Sequence, residues 1–230
     1  MKSVEPPDYE GNRRNLYESN RREVRDLLNA GQLEKKIKNF CELHGFSREQ
    51  LVQSIHNNDV VAAFFAKDPR KQSCDEKLAA QFIRNLEGVK NFKSLPKGPN
   101  GFCVLQGEVM PKKQMRGSRS TTKTIDFYWE YRGVKFYAAH KYTKDEGGAQ
   151  GNQHRDLEAF IREARDSSLP KTIFMVIADG DFYQRRRRGG NRTRLQKMET
   201  LCTPGIYVTT SGNLSVLLPQ ISESIKSRKE

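Results

Sequence analysis

The chain has 230 residues, with 41 Lys and Arg against 28 Asp and Glu, a formal charge of +13 and a pI near 9.6. That length suits one large domain or a domain with an appended lobe, and the 35% hydrophobic residues can fill a core. The positive excess points to a polyanionic partner, nucleic acid before an acidic membrane surface. No apolar run approaches a membrane-spanning length and MKSVEPPDYEGNRR has no apolar signal core, so a cytoplasmic protein with no membrane association is expected.

Residues 1–17 are polar and contain two prolines, and they read as a solvated arm or as a basic arm touching DNA through Arg13 and Arg14. From Ser19 to Leu86 the periodicity is helical. Val24, Leu27 and Leu28 form one apolar stripe that closes at Gly31; Leu33, Ile37, Phe40 and Cys41 form a second that closes at Gly45. Ser47-Arg48-Glu49-Gln50 has the form of a capping box, which starts a further helix. The short helices around Gly45 fit either a helix-turn-helix or a plain packed lobe. Asp68-Pro69 interrupts the pattern, and Arg70–Leu86 resumes it with Leu78, Phe82 and Leu86 inward and with Gln72 and Glu76 sharing a face. The Pro, Gly and Lys of 88–101 mark a boundary between a helical lobe, 1–95, and the remainder, 96–230.

Phe102–Met110 reads as the first strand of a sheet. The loop after it, PKKQMRGSRSTTK, carries Lys112, Lys113, Arg116 and Arg119, which suit a solvated loop or a DNA-backbone contact. Thr122–Tyr142 is rich in aromatic and β-branched residues and reads as a hairpin turning at Arg132-Gly133. A two-residue turn there sets every opposed pair to numbers summing to 265. Ile125, Phe127, Trp129, Val134, Phe136 and Ala138 then share a face to be buried. The other face carries Thr124 opposite Lys141, Asp126 opposite Ala139, Tyr128 opposite Tyr137 and Glu130 opposite Lys135. After the loop YTKDEGGAQGNQ comes an amphipathic helix with Leu157, Phe160, Ile161 and Ala164 at helical spacing. Thr172–Ala178 is continuously apolar, as in a central strand covered on both faces, and ends in DGDFY.

The most basic segment, QRRRRGGNRTR, follows directly. Arginine pairs bidentately with guanine and asparagine with adenine, so Arg185, Arg186, Arg187, Arg188, Asn191, Arg192 and Arg194 are candidate DNA contacts, with Gln72 and the Lys112–Arg119 basics beside them. Arg194–Cys202 reads as a short helix, Gly205–Thr209 as a strand and Leu217–Lys226 as a terminal amphipathic helix. Cys41, Cys74, Cys103 and Cys202 have no CxxC spacing and read as buried thiols rather than zinc ligands or disulfides.

Asp126 on one strand and Lys141 on the next, at the open end of the hairpin, resemble the PD-(D/E)xK nucleases, in particular type II restriction endonucleases. Gly151 and Gln153 resemble the glycine and glutamine that follow the lysine strand there, and DGDFY resembles a strand-ending element of several such enzymes. The resemblance covers about Glu108 to Leu217 and implies an α/β fold, a mixed central sheet flanked by helices. It also implies site-specific hydrolysis of double-stranded DNA with Mg²⁺, for which Mn²⁺ can substitute, by a homodimer in a bacterial or archaeal cytoplasm. Asp126, an acid at 139 and the backbone carbonyl of His140 would be the metal ligands, Lys141 would activate water, Gln153 would align it or a phosphate, and Glu76 would complete the shell. The chain departs from the pattern at Ala139, where the second acid is expected. Three readings follow: an inactivated variant, an acid supplied from elsewhere such as Glu76, or a structural hairpin without the activity. A DNA-binding protein that uses the same fold without catalysis is the alternative function.

Overall fold

The computed structural model describes residues 5–69, 73–115, 124–144, 148–186 and 189–227. The chain divides into a helical unit, Asp8–Lys77, and a sheet unit, Leu78–Glu230 with Met1–Pro7.

In the helical unit α1 (Tyr9–Asn29) starts well before Ser19, because Asp8 caps it by accepting from the Gly11 N–H at 2.8 Å. The expected arm is therefore helix from Tyr9, and Arg13 is tied within the unit to Asp75 at 2.5 Å. After α1 come α2 (Glu34–His44), α3 (Arg48–Asn57), α4 (Asp59–Phe65) and the first turn of α5 (Cys74–Asn85). The box at Ser47 forms as expected: its hydroxyl accepts from the Gln50 N–H at 3.2 Å, and the Gln50 side chain accepts in return from the Ser47 N–H at 3.3 Å. Val24, Leu28, Leu33, Ile37, Leu51, Ile55, Ala62 and Phe65 form the core of this unit.

Within the sheet unit the strands are β1 (Val89–Ser94), β2 (Phe102–Leu105), β3 (Glu108–Pro111), β4 (Thr124–Ile125), β5 (Phe127–Tyr131), β6 (Val134–Tyr142), β7 (Thr172–Asp179) and β8 (Ile206–Thr209). Its further helices are α6 (Gly148–Ala164), α7 (Asp181–Gln184), α8 (Arg194–Glu199) and α9 (Leu214–Ser227). Five strands form a mixed sheet in the order β1-β5-β6-β7-β8, antiparallel through β6 and parallel from β6 to β8; β3-β2-β4 form a separate antiparallel sheet. The mixed α/β class expected from sequence is the class observed.

Two boundaries differ from the sequence reading. Residues 78–95 cluster with the sheet rather than with the helices, because β1 pairs with β5. Phe102–Met110 is two strands, not one, turned at Gln106-Gly107 with φ of 48° and 80°, and they belong to the small sheet. Gly107 is required twice over at that turn: besides its positive φ, a Cβ would stand 2.4 Å from the Ser167 nitrogen.

The hairpin keeps its expected register from Tyr131–Val134 to Phe127–Ala138. Arg132 and Gly133 both have positive φ, 48° and 80°, as a type I′ turn demands. Beyond Phe127 the register fails. Thr124 and Ile125 leave the hairpin and pair with Cys103 and Phe102 of β2, so the expected Thr124–Lys141 pair does not form. Ile125 consequently joins the buried cluster of Ala139, Leu157, Phe160, Ile161, Phe174, Val176 and Ala178, which brings α6 together with one face of the sheet. On the opposite face Phe127, Trp129, Phe136, Ala138, Met175 and Ile177 have no exposed surface either. Burial on both faces is why β7 is apolar without alternation. Each such large side chain contributes roughly 1.5–3 kcal/mol.

Candidate functional site at the strand ends

Asp126 sits where the chain passes from one sheet to the other, outside both ladders. Its N–H donates to the Ala138 carbonyl at 2.8 Å and its own carbonyl accepts from Leu95 at 2.9 Å, so the backbone is fixed from two sides. The side chain is 4% exposed, and Oδ2 accepts the His140 N–H at 2.8 Å. Oδ1 takes no hydrogen bond from a described residue. A carboxylate held by one oxygen, with the other open, is an oriented ligand or acceptor.

His140 is itself anchored. Its Nε2 lies 3.2 Å from Oδ2 of Asp179, the last residue of β7, and Asp179 also accepts from the Ser211 N–H at 2.8 Å and the Ser211 hydroxyl at 2.5 Å. All three residues are at least 95% buried. The chain Ser211–Asp179–His140 ties the ends of β8, β7 and β6 together beneath Asp126. Alternation sends the His140 ring away from the Ala139 side, and the ring packs on Phe127 at 5.8 Å. Sequence reasoning recorded Asp179 only as part of a strand-ending motif and missed Ser211. A carboxylate closing a seven-residue apolar run was the available signal for Asp179.

Lys141, the next residue on β6, is half-buried, and β6 runs on to Tyr142 before Thr143. The Thr143 hydroxyl donates to Gln153 Oε1 at 2.8 Å and lies 3.4 Å from the Tyr183 hydroxyl. Gln153, in the early turns of α6, is thereby held at the lysine strand, with its amide nitrogen engaged by no described residue. Burial pushes the Tyr183 phenol up to about 12, so it stays a neutral hydrogen-bonding group. Gly180, at φ 99°, lets β7 turn into α7 against Thr143: a Cβ would stand 2.2 Å from the Thr143 carbonyl oxygen.

Ala139 has no exposed surface and belongs to the apolar cluster under α6. An acid there would be desolvated among aliphatic and aromatic side chains. Glu76 lies on α5 within the helical unit, half-buried. Lys112 and Lys113 open a 3-10 turn, Lys113 exposed and Lys112 half-buried. Gln72, Arg116, Arg119, Arg187 and Arg188 lie outside the described residues. Of the basic segment, Arg185, Arg186, Asn191 and Arg192 are exposed. Arg194 is not: it is 7% exposed, donates to the Phe182 carbonyl at 3.1 Å and lies over the Phe182 ring at 4.2 Å. Those contacts tie it to the base of the loop, buried where the sequence reading expected an exposed DNA contact, and Arg186 bridges to Thr193 across the same base.

No family model and no curated protein matches this chain. Among solved structures it is similar to protein VC1899 from Vibrio cholerae, at 12% identity and a TM-score of 0.31 over 93% of this chain and 56% of that one. It is also similar to Can2 from Sulfobacillus thermosulfidooxidans, solved in complex with cyclic tetra-adenylate, at 11% identity and a TM-score of 0.34 over 91% of this chain and 53% of that one. The chain thus spans about half the length of either structure.

Proposed function

We propose that this protein is a site-specific double-stranded DNA endonuclease of the PD-(D/E)xK type, acting as a homodimer with Mg²⁺, or Mn²⁺ in its place, in a restriction–modification system. One observation carries the reading. The carboxylate of Asp126 is oriented by the His140 N–H one residue before Lys141, and Gln153 is held beside the same strand end through Thr143.

The donor set bears on the cation directly. Asp126 offers an open oxygen, Ala139 offers none, and among the described residues no three His, Cys, Asp or Glu side chains converge as a metal site would need. This fits an ion held by one protein carboxylate, Asp126, with the His140 carbonyl, water and phosphate oxygens completing its shell, and it does not fit a two-carboxylate site. Such an ion would supply charge neutralisation at the phosphate. The chain's own groups do the rest. Lys141 places a positive charge where the attacking water and the developing phosphorane charge lie, and the free amide of Gln153 donates to a phosphate oxygen. The buried Ser211–Asp179–His140 chain keeps Asp126 aimed without touching substrate.

A second reading, a DNA-binding protein without catalysis, draws on the packing of Ala139 in an apolar cluster. Incubating the chain with Mg²⁺ or Mn²⁺ and sequenced plasmids, methylated and unmethylated, separates the two. Discrete fragments that vanish with Asp126→Asn establish the nuclease. If neither this chain nor Ala139→Glu cuts any substrate while both bind DNA in a salt-sensitive way, the binding protein is the correct reading.

A further inference from the structure

The loop that follows the site is built at its base, while several exposed side chains of its described residues have no partner among the described residues. Arg194 and the Arg186–Thr193 bridge fix where it leaves and rejoins the unit, and Thr193 caps α8 in a box with Gln196. Beyond this base, Asn191, Arg192, Gln196, Glu199 and Thr200 line a shallow cleft of about 470 Å³, and all five are exposed. Arg192 and Glu199 carry opposite charges in one cleft, yet the side chains of Arg192, Glu199 and Asn191 make no hydrogen bond or ion pair with a described residue. Neighbouring Arg185, by contrast, is paired with Asp181 at 3.3 Å.

The remaining two groups have fixed polarity. Gln196 Oε1 accepts from the Thr193 N–H at 2.9 Å, which leaves its amide as a donor. The Thr200 hydroxyl donates to the Lys197 carbonyl at 2.7 Å, which leaves it as an acceptor. The cleft therefore offers a mixed set: an arginine fork and an amide as donors, a carboxylate and a hydroxyl as acceptors, and Asn191 as both. Phosphate binding alone would be served by donors and opposed by a carboxylate. A set of both signs is what base edges in the major groove require, where guanine presents two acceptors and cytosine an amino donor.

We infer that this cleft reads base edges of duplex DNA, Arg192 taking guanine and Glu199 taking the amino group of the cytosine in a G·C pair, with Asn191 and Gln196 on adjacent bases. The inference rests on the DNA-acting reading above, and its test uses binding without cleavage so that the two fail separately.

The full chain would be used, without divalent cation, to select from a pool of randomised duplexes, alongside Glu199→Gln and Arg192→Ala. The intact chain is expected to enrich a motif containing G·C. Glu199→Gln should weaken the preference for cytosine at one position by roughly 5- to 100-fold, and Arg192→Ala the preference for guanine by a similar factor, with other positions unchanged. Circular dichroism of these surface variants verifies folding. If either variant shifts affinity for all sequences equally, or if duplex RNA competes as well as DNA, the base-reading role is overturned while nucleic-acid binding stands. Salt-sensitive binding with no enriched motif overturns it too. No DNA binding at all overturns the parent reading with it.

Discussion

The two units of this chain are alike in how they are held and unlike in what they offer. The helical unit, 8–77, carries 13 Lys and Arg against 12 Asp and Glu, whereas the rest of the chain carries 28 against 16. Almost all of the net positive charge therefore belongs to the unit with the sheet. The helical unit exposes apolar groups instead, with Phe64 72% and Leu43 77% accessible and a cavity of about 370 Å³ lined by Phe40, Phe46, Leu51, Val61, Phe64 and Phe65. Overall charge leads one to expect a polyanionic partner for the whole molecule, but the excess that motivates it lies in one part. The proposed DNA partner therefore has its electrostatic reason in the sheet unit, where the positive excess lies, more than in the nearly neutral helical unit.

The sharpest way to break that division is to disable each unit in turn. Lys141→Ala or Asp126→Asn should lower plasmid cleavage by about 10³-fold while leaving DNA affinity within about threefold in a filter-binding titration. Arg25→Ala, which removes the helical unit's pair with Asp59 and a hydrogen bond to the His56 carbonyl, should leave both unchanged. Equal losses from the two would erase the division.

Alkaline pH should loosen the sheet unit next. The folded phenol of Tyr183 sits at about 12 against an ordinary 10, so the fold favours the neutral form. That stabilisation is intact below pH 10 and is lost as pH rises toward 12, by roughly 2–3 kcal/mol in all. Urea unfolding followed from pH 8 to 11.5 should show the decline, and Tyr183→Phe should reduce it, the remainder coming from Cys202, Tyr128 and Tyr137, which burial raises in the same direction; an unchanged slope would remove Tyr183 as a cause.

A smaller effect concerns salt. Replacing Arg185, Arg186 and Arg192 with Ala should weaken DNA binding about tenfold at moderate salt and reduce the slope of log affinity against log salt by up to about 2.7. Replacing Arg22 and Lys38, exposed on the helical unit, should not move the slope. The smallest effect is local to that unit. Ser47→Ala removes the capping box and should cost about 1 kcal/mol in thermal or urea unfolding, with DNA affinity unaffected.

What could be read in the sequence was local. The hairpin register followed from alternation and a two-residue turn, and the box at Ser47 from four adjacent residues. Both formed. The register stopped at Phe127 because the partner of Thr124–Ile125 is β2, some twenty residues upstream, and nothing within the hairpin announces a competing strand. Strand β1 was illegible for another reason. Its residues, VKNFKS, are mostly exposed at the sheet edge, with lysines where alternation would need apolar groups. Asp126 and Lys141 were visible as residue types, but what holds the Asp126 carboxylate in place is the backbone N–H of His140, and backbone contacts leave no mark on composition. Arg194 was indistinguishable from its neighbours in a run of arginines, and only burial against Phe182 sets it apart.

That buried arginine has a practical consequence for anyone wishing to redesign this molecule. Because Arg194 and the Arg186–Thr193 bridge close the loop beneath its tip, the tip can be exchanged as a cartridge. Libraries confined to positions 189–192 leave Arg194, Phe182 and the strand-end aspartates untouched. Sequence variation in the tip is thus separated from the parts that hold the fold, and of the proposed base-reading residues Asn191 and Arg192 fall within it while Gln196 and Glu199 stay fixed outside it.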